Sequence, residues 1–214
     1  MKILVTGFEP FGGECINPAF EAVKLLPKVI SGAEIVVELM PVVFRKCGDV
    51  LRKAVVFHSP GAVLCVGQAG GRSGITVEKV AINLAEGRIP DNDGQLLLGE
   101  AIQANGPAAY FSNLPVKAMV RNIKAQGIPA SISYTAGTYV CNNIFYHLLY
   151  MIDRDFPHMR GGFIHVPFDT SQALNRPDGT PTMPVATVAK ALEQAIEAIV
   201  LHKEDIQEAA GITP

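Results

Sequence analysis

Along nearly the whole chain, short apolar runs alternate with longer stretches whose apolar residues recur at helical spacing. Ile3 to Thr6 reads as a first strand. A helix follows over Pro18 to Leu26, with Asn17 placed to cap it and Pro18 at its first position. Glu34 to Met40 is a second strand and Phe44 to Phe57 a second helix. Ala62-Val-Leu-Cys-Val66 is apolar throughout, as in a strand covered on both faces. Thr76 to Ala85 alternates, with Val77, Lys79 and Ala81 on one side and Glu78, Val80 and Ile82 on the other. Asn113 to Gln126, Val140 to Tyr150 and Val185 to His202 carry helical spacing, the last with a stripe through Val188, Leu192, Ile196 and Val200. Ser131 to Tyr134 and Gly161 to His165 read as short strands, the second closed by Pro167. The alternation predicts one α/β domain over residues 1–214, layered α/β/α around a mixed, mostly parallel sheet. Glu86 to Pro107, rich in Gly, Pro and Asp, is the least regular stretch and is expected to be a loop or arm.

On this frame Cys141 falls in the first turn of a helix, directly after a strand and an Ala136-Gly137 turn. Free amide N–H groups and the positive end of the helix dipole are expected to favour the thiolate there, the form that attacks carbonyl carbon. The alternative is a small apolar cysteine packed at a helix start. Its company argues for chemistry. His165 ends a buried strand, and open α/β sheets place their active groups at the carboxyl ends of strands. Glu78 is an acid inside a strand-like stretch. A cysteine nucleophile needs an imidazole to take and return its proton, and the imidazole needs a carboxylate to fix its tautomer. Cys141, His165 and Glu78 supply those parts. Gly12-Gly13 and the Gly67 to Gly71 stretch match neither the P-loop nor the dinucleotide fingerprint, so they are read as allowing tight turns and close backbone approach around a site.

Several segments in order resemble the pyroglutamyl peptidase I family. They are Thr6-Gly-Phe-Glu-Pro-Phe-Gly-Gly13 with Asn17-Pro18, Gly67-Gln-Ala-Gly-Gly-Arg72, Glu78 through Asn83, and Arg88-Ile-Pro-Asp-Asn92. Ala108 to Ser112, Leu114 to Met119, Thr135 through Asn142 and Gly162 to Pro167 complete the set. The resemblance implies a cysteine exopeptidase that hydrolyses the amide bond after an N-terminal 5-oxoproline, with Cys141, His165 and Glu78 as its triad. It makes Phe8 and Phe11 the walls that sandwich the lactam ring, with Ile89, Tyr139 and Val140 completing an apolar pocket. Ordinary core packing is the alternative for both phenylalanines. Tyr139 stands where the family commonly has Phe, and Val42 where some relatives have Thr. Gln68 can donate and accept, which suits a lactam, unless it simply faces solvent. Arg88 is expected either to aim charge at the oxyanion or to pair with Asp91 or Asp93. Arg72 has the same two readings and is taken as structural. The resemblance further implies a homo-oligomer, a tetramer, with Glu86–Pro107 as a contact element. Two other classes fit the layering, a phosphorylase-type transferase and a binding protein without activity. The first needs several basic residues around an anion, and the second is opposed by the presence of all three reactive groups.

Composition narrows the partners. Apolar residues make up 49% of the chain, enough for a substantial core, without a continuous run long enough to span a bilayer. Met1-Lys-Ile-Leu-Val is followed at once by turn residues, which reads as a first strand and not a secretion signal. A net charge of −2 without a Lys/Arg cluster argues against nucleic acid or an anionic membrane. Cys15, Cys47, Cys65 and Cys141 form no CxxC pair and no metal-ligand spacing with histidine, so neither a metal nor an organic cofactor is expected. A free reactive thiol suits a reducing cytoplasm.

Overall fold

In the computed structural model, which describes residues 1–210, β1 (Lys2–Phe8) feeds α1 (Pro18–Lys24), whose cap is the expected one. The Asn17 side chain accepts from the Ala19 N–H at 3.1 Å. A short β2 (Val29–Ile30) turns back into β3 (Ala33–Met40), and α2 (Phe44–His58) leads to β4 (Ala62–Gln68). β1 lies between β3 and β4 and is parallel to both. Every residue of β4 is buried, as its unbroken apolar run requires.

The stretch expected to be one strand is three pieces. β5 (Ile75–Glu78) belongs to the main sheet, and the chain leaves it at Lys79, whose N–H donates to Ser133 O and whose carbonyl accepts from Ser112 N–H. β6 (Val80–Ile82) and β7 (Ala85–Glu86) follow. Val77 therefore packs in one core and Ala81 in the other, so the expected common face is broken at Lys79. Glu86 to Pro107 is also more ordered than expected, because β7 pairs with β8 (Leu98–Glu100). β9 (Ala109–Phe111) pairs with β6.

Next, α3 (Val116–Ala125) begins three residues later than the spacing suggests, behind Pro115. β10 (Ala130–Ser133), α4 (Val140–Arg154) and β11 (Arg160–Val166) match their expected positions within a few residues. A 3₁₀ turn over Thr170–Asn175 and α5 (Val185–Leu201) complete the described chain.

The main sheet has seven strands in the order β10-β5-β11-β4-β1-β3-β2. It is parallel except where β5 meets β11 and where β2 meets β3. One core lies under α1, α3 and α5, with Ile3, Val5, Leu64, Ile164, Leu192 and Ile196 among its members. The other lies under α2 and α4, with Leu4, Phe8, Val63, Cys65, Phe163 and Phe145. Alternation along β1, β4 and β11 sends successive side chains to opposite cores. The layering is α/β/α, and α4 crosses the face onto which Phe163 and His165 project.

Candidate active site

Glu78 and His165 meet because β5 and β11 are antiparallel neighbours. Phe163 is opposite Glu78 and His165 opposite Thr76, so Glu78 and His165 are diagonal partners on one face. His165 Nδ1 lies 2.7 Å from Glu78 Oε1. A carboxylate can only accept, so Nδ1 carries the hydrogen and Nε2 is left as the base. The same carboxylate oxygen accepts from Arg72 Nη1 at 2.6 Å. Arg72 is held in turn by Thr76 Oγ1 and by Thr135 O, the latter at 3.2 Å. Its contact is thus with the carboxylate itself, which sequence spacing does not reveal. Asp169, the acid nearest His165 in sequence, is engaged elsewhere, accepting from the backbone N–H groups of Ser171 and Val185.

Cys141 reaches this pair from the adjacent helix. Gly67 is opposite His165 in the β4–β11 register. A Cβ built on Gly67 would stand 2.8 Å from Cys141 Sγ, so the thiol lies over the strand position beside the imidazole. Only glycine leaves that space. Asn142, the next residue, locks the helix start in place. It accepts from Ile82 N–H at 3.0 Å and donates to Ile82 O and Leu84 O at 2.9 and 3.0 Å.

Four helices have a side-chain oxygen at their first N–H groups. Asn17 serves α1, while Asp91, Asp205 and Asp169 arrive from distant segments to serve α2, α3 and α5. The start of α4 has no such cap among the described residues. Its first amide N–H groups, on the turn that carries Cys141, have no side-chain acceptor among the described residues, an arrangement able to receive an oxyanion.

The protonation states differ from the expectation of a ready thiolate. Burial, and then the negative charge of Glu78, push the Cys141 thiol up to about 12, while Arg72 acts in the other direction. Burial also lowers His165, against the Glu78 hydrogen bond that raises it. Glu78 is itself lowered: burial would raise it, but the His165 hydrogen bond and charge, with Ser133 and Arg72, outweigh that. The site rests as neutral thiol, neutral imidazole and carboxylate. A helix terminus contributes up to about 2 kcal/mol, too little to reverse the desolvation of a buried thiolate.

A small pocket opens from Cys141, lined by Phe8, Phe11, Asn17, Val42, Gln68, Tyr139 and Val140. Phe8 is buried and Phe11 half-buried. Phe11 and Tyr139 rings lie 6.2 Å apart, and Tyr139 packs edge-on to Phe44 at 5.2 Å. The Tyr139 hydroxyl donates to Pro90 O at 3.0 Å, tying the wall to the rim loop. Gln68, at the end of β4, is 8% exposed and not turned to solvent. Asn17, expected only as a helix cap, also lines the pocket. Arg88 and Ile89 stand apart from this lining on the exposed rim. Arg88 forms no ion pair among the described residues, since Asp91 caps α2 and Asp93 pairs with Lys46 at 2.5 Å. The Val42 side chain is apolar; its backbone N–H donates to Glu9 Oε1 at 3.0 Å and its carbonyl accepts from Asn92 N–H at 3.0 Å.

Comparison with known proteins gives a consistent picture. The family model described as Pyroglutamyl peptidase matches residues 1–202. The pyrrolidone-carboxylate peptidase of Enterococcus faecalis is 54% identical over 213 residues, covering 100% of both chains. That of Lactobacillus johnsonii is also 54% identical, covering 99% of each. Among solved structures, pyroglutamyl peptidase I from Bacillus amyloliquefaciens superimposes with a TM-score of 0.94 at 50% identity, covering 97% of this chain and 99% of the other. Pyrrolidone carboxyl peptidase from Thermococcus litoralis gives 0.93 at 36% identity, with the same coverage.

Proposed function

The chain belongs to the pyroglutamyl peptidase family, and from that premise we propose that it removes N-terminal 5-oxoprolyl groups from peptides with Cys141 as nucleophile, His165 as proton carrier and Glu78 as its orienting carboxylate. The observation that carries this is the His165–Glu78 bond of 2.7 Å beside a thiol at the uncapped start of α4.

Cys141 Sγ attacks the 5-oxoprolyl carbonyl while its proton passes to His165 Nε2, so a neutral pair becomes charged only as the reaction proceeds. First-turn N–H groups of α4 take the developing oxyanion. The imidazolium, stabilised by Glu78, gives its proton to the departing amine and leaves a thioester on Cys141. The same nitrogen then deprotonates water, which attacks the thioester and releases 5-oxoproline and the free thiol.

The pocket lining supports this choice of substrate. A 5-oxoprolyl cap is a flat, neutral lactam, and Phe8, Phe11, Tyr139 and Val140 offer apolar walls beside the neutral amide of Gln68. Among the described residues, no carboxylate lines the pocket to hold a terminal ammonium. Arg88 and Ile89 serve at the rim, against the portion of substrate nearest solvent. Catalysis by a free thiol suits a reducing cytoplasm, and no helix among the described residues is long and apolar enough to cross a membrane. Exposed Leu96 and Leu98, on the segment ending in β8, are apolar surface for assembly into a homo-oligomer, a tetramer.

Incubation with chromogenic 5-oxoprolyl, prolyl and glutamyl amides tests the reading. Turnover confined to the 5-oxoprolyl amide is expected, and equal turnover of prolyl amide would overturn it.

A further inference from the structure

Gln172 is buried on the 3₁₀ turn that follows β11, and the triad mechanism does not use it. Its Oε1 accepts from the Asp169 backbone N–H at 2.9 Å. A backbone N–H can only donate, so that contact fixes which end of the amide is oxygen. The Nε2 end therefore points the other way, with two hydrogens to place. One goes to Glu14 Oε2 at 2.9 Å and the other to Gln68 Oε1 at 3.2 Å. Glu14 is held in place by Arg176, and Arg176 in turn stacks on Phe168 with its guanidinium carbon 3.5 Å from the ring centroid.

We infer that Gln172 is a positioning residue that sets the polarity of substrate recognition by fixing the Gln68 amide with its carbonyl turned away from the pocket and its NH₂ turned in. With Oε1 committed to Gln172, Gln68 presents a donor and makes no donation to any group among the described residues. The pocket then selects a ring that carries an acceptor beside the scissile acyl group, which is the lactam carbonyl. It rejects rings that offer only N–H there, because donor would face donor. Orientation runs in one direction, from the Asp169 backbone through Gln172 to Gln68. The assignment deepens the 5-oxoprolyl reading and rests on it.

The test replaces the donor by an acceptor of the same shape. The carboxylate introduced by Q172E would still accept from Asp169 N–H, but its second oxygen could only accept. Gln68 would then rotate, donate to it and present its own oxygen to the substrate carbonyl. Pairing Q172E with E14Q keeps the net charge unchanged and removes repulsion between two neighbouring carboxylates. Both Q172 variants are made on a Cys15→Ser background, because Cys15 is exposed and would react with thiol reagents. The readouts are kcat and KM on a 5-oxoprolyl amide, and the rate of Cys141 alkylation by iodoacetamide.

Expected for E14Q/Q172E is a fall in kcat/KM on the order of 10²-fold, carried mostly by KM, the size of leaving one buried polar group mispaired. Cys141 alkylation should stay within about twofold of the parent, because the triad is untouched. Q172M, which frees Gln68 without reversing it, should lose less, about 10-fold. An unchanged KM in E14Q/Q172E overturns the inference. So does a parallel loss of alkylation and turnover in both variants, which marks a structural role only. Turnover of the 5-oxoprolyl amide by the Cys15→Ser parent tests the underlying reading separately.

Discussion

At Glu78 one carboxylate oxygen serves both His165 and Arg72, so the charge of Arg72 and the protonation of His165 are electrostatically linked. Burial lowers His165, and the charge of Arg72 lowers it further. The acid limb of kcat/KM, where His165 protonates, is therefore expected below the ordinary histidine value of about 6.5. Removing Arg72 as Arg72→Gln takes away a charge that disfavours imidazolium, so that limb should move upward in pH. A pH profile that does not move would detach Arg72 from the site. His165→Ala should cost at least about 10⁴-fold in kcat, since the imidazole both activates the thiol and expels the amine. Glu78→Gln keeps the shape but loses the charge, and roughly 10³-fold is expected, smaller than the histidine loss. Single-turnover rates of the two variants check the order.

The elements are joined by contacts that local patterning does not encode. Three helices are capped by aspartates far away in sequence, and this explains why α3 starts later than its spacing suggests. Asn113 heads the expected helix, but its side chain bonds Gly161 N–H and Met159 O, and Asp205 does the capping across the fold. Asp205→Ala should lower stability by about 1–2 kcal/mol in denaturant unfolding and leave turnover near the parent value. Gly67→Ala should strike turnover as well as stability. An added methyl would press on Cys141 Sγ and Phe163, costing roughly 1–3 kcal/mol of overpacking. Turnover should fall about 10²-fold, because displacement of the nucleophile by even an ångström is costly. Gly67→Ala with full activity would show that the thiol is not held where β4 and β11 pair.

Over the whole molecule, the layering, the helix α4 and the three side chains proposed as the triad are legible in the sequence. Each lies in a strongly patterned segment, and Cys141 at a strand-to-helix turn is itself a local signal. The break at Lys79 is not legible, because alternation continues through it while the chain passes from one sheet to another. Arg72 on Glu78 and Gln172 on Gln68 escape for a related reason: both contacts join loops to strand ends, and no spacing rule connects them. The protonation state of Cys141 also requires the fold, since burial decides it. Burial of the histidines and hydrogen bonding to the carboxylates give a pH prediction for the molecule as well. His165, His147, Glu78 and Asp169 all have folded values below their ordinary ones. At these four groups the unfolded chain then binds more protons, so the stability they contribute is full above about pH 6.5 and falls as the histidines and then the carboxylates titrate. Thermal unfolding should show Tm dropping from about pH 7 toward about pH 4, and His147→Gln should flatten the upper part of that slope. A flat Tm across this range would contradict these lowered folded values.

Turnover of a chromogenic 5-oxoprolyl amide by Cys141→Ser, beside the Cys15→Ser parent and with both proteins checked for an unchanged Tm, tests the assignment of the nucleophile most directly. Serine keeps nearly the same shape but is far less acidic than the thiol. Normal turnover is predicted in the parent and none measurable in Cys141→Ser. Residual turnover within a few-fold of the parent would mean that Cys141 is not the nucleophile.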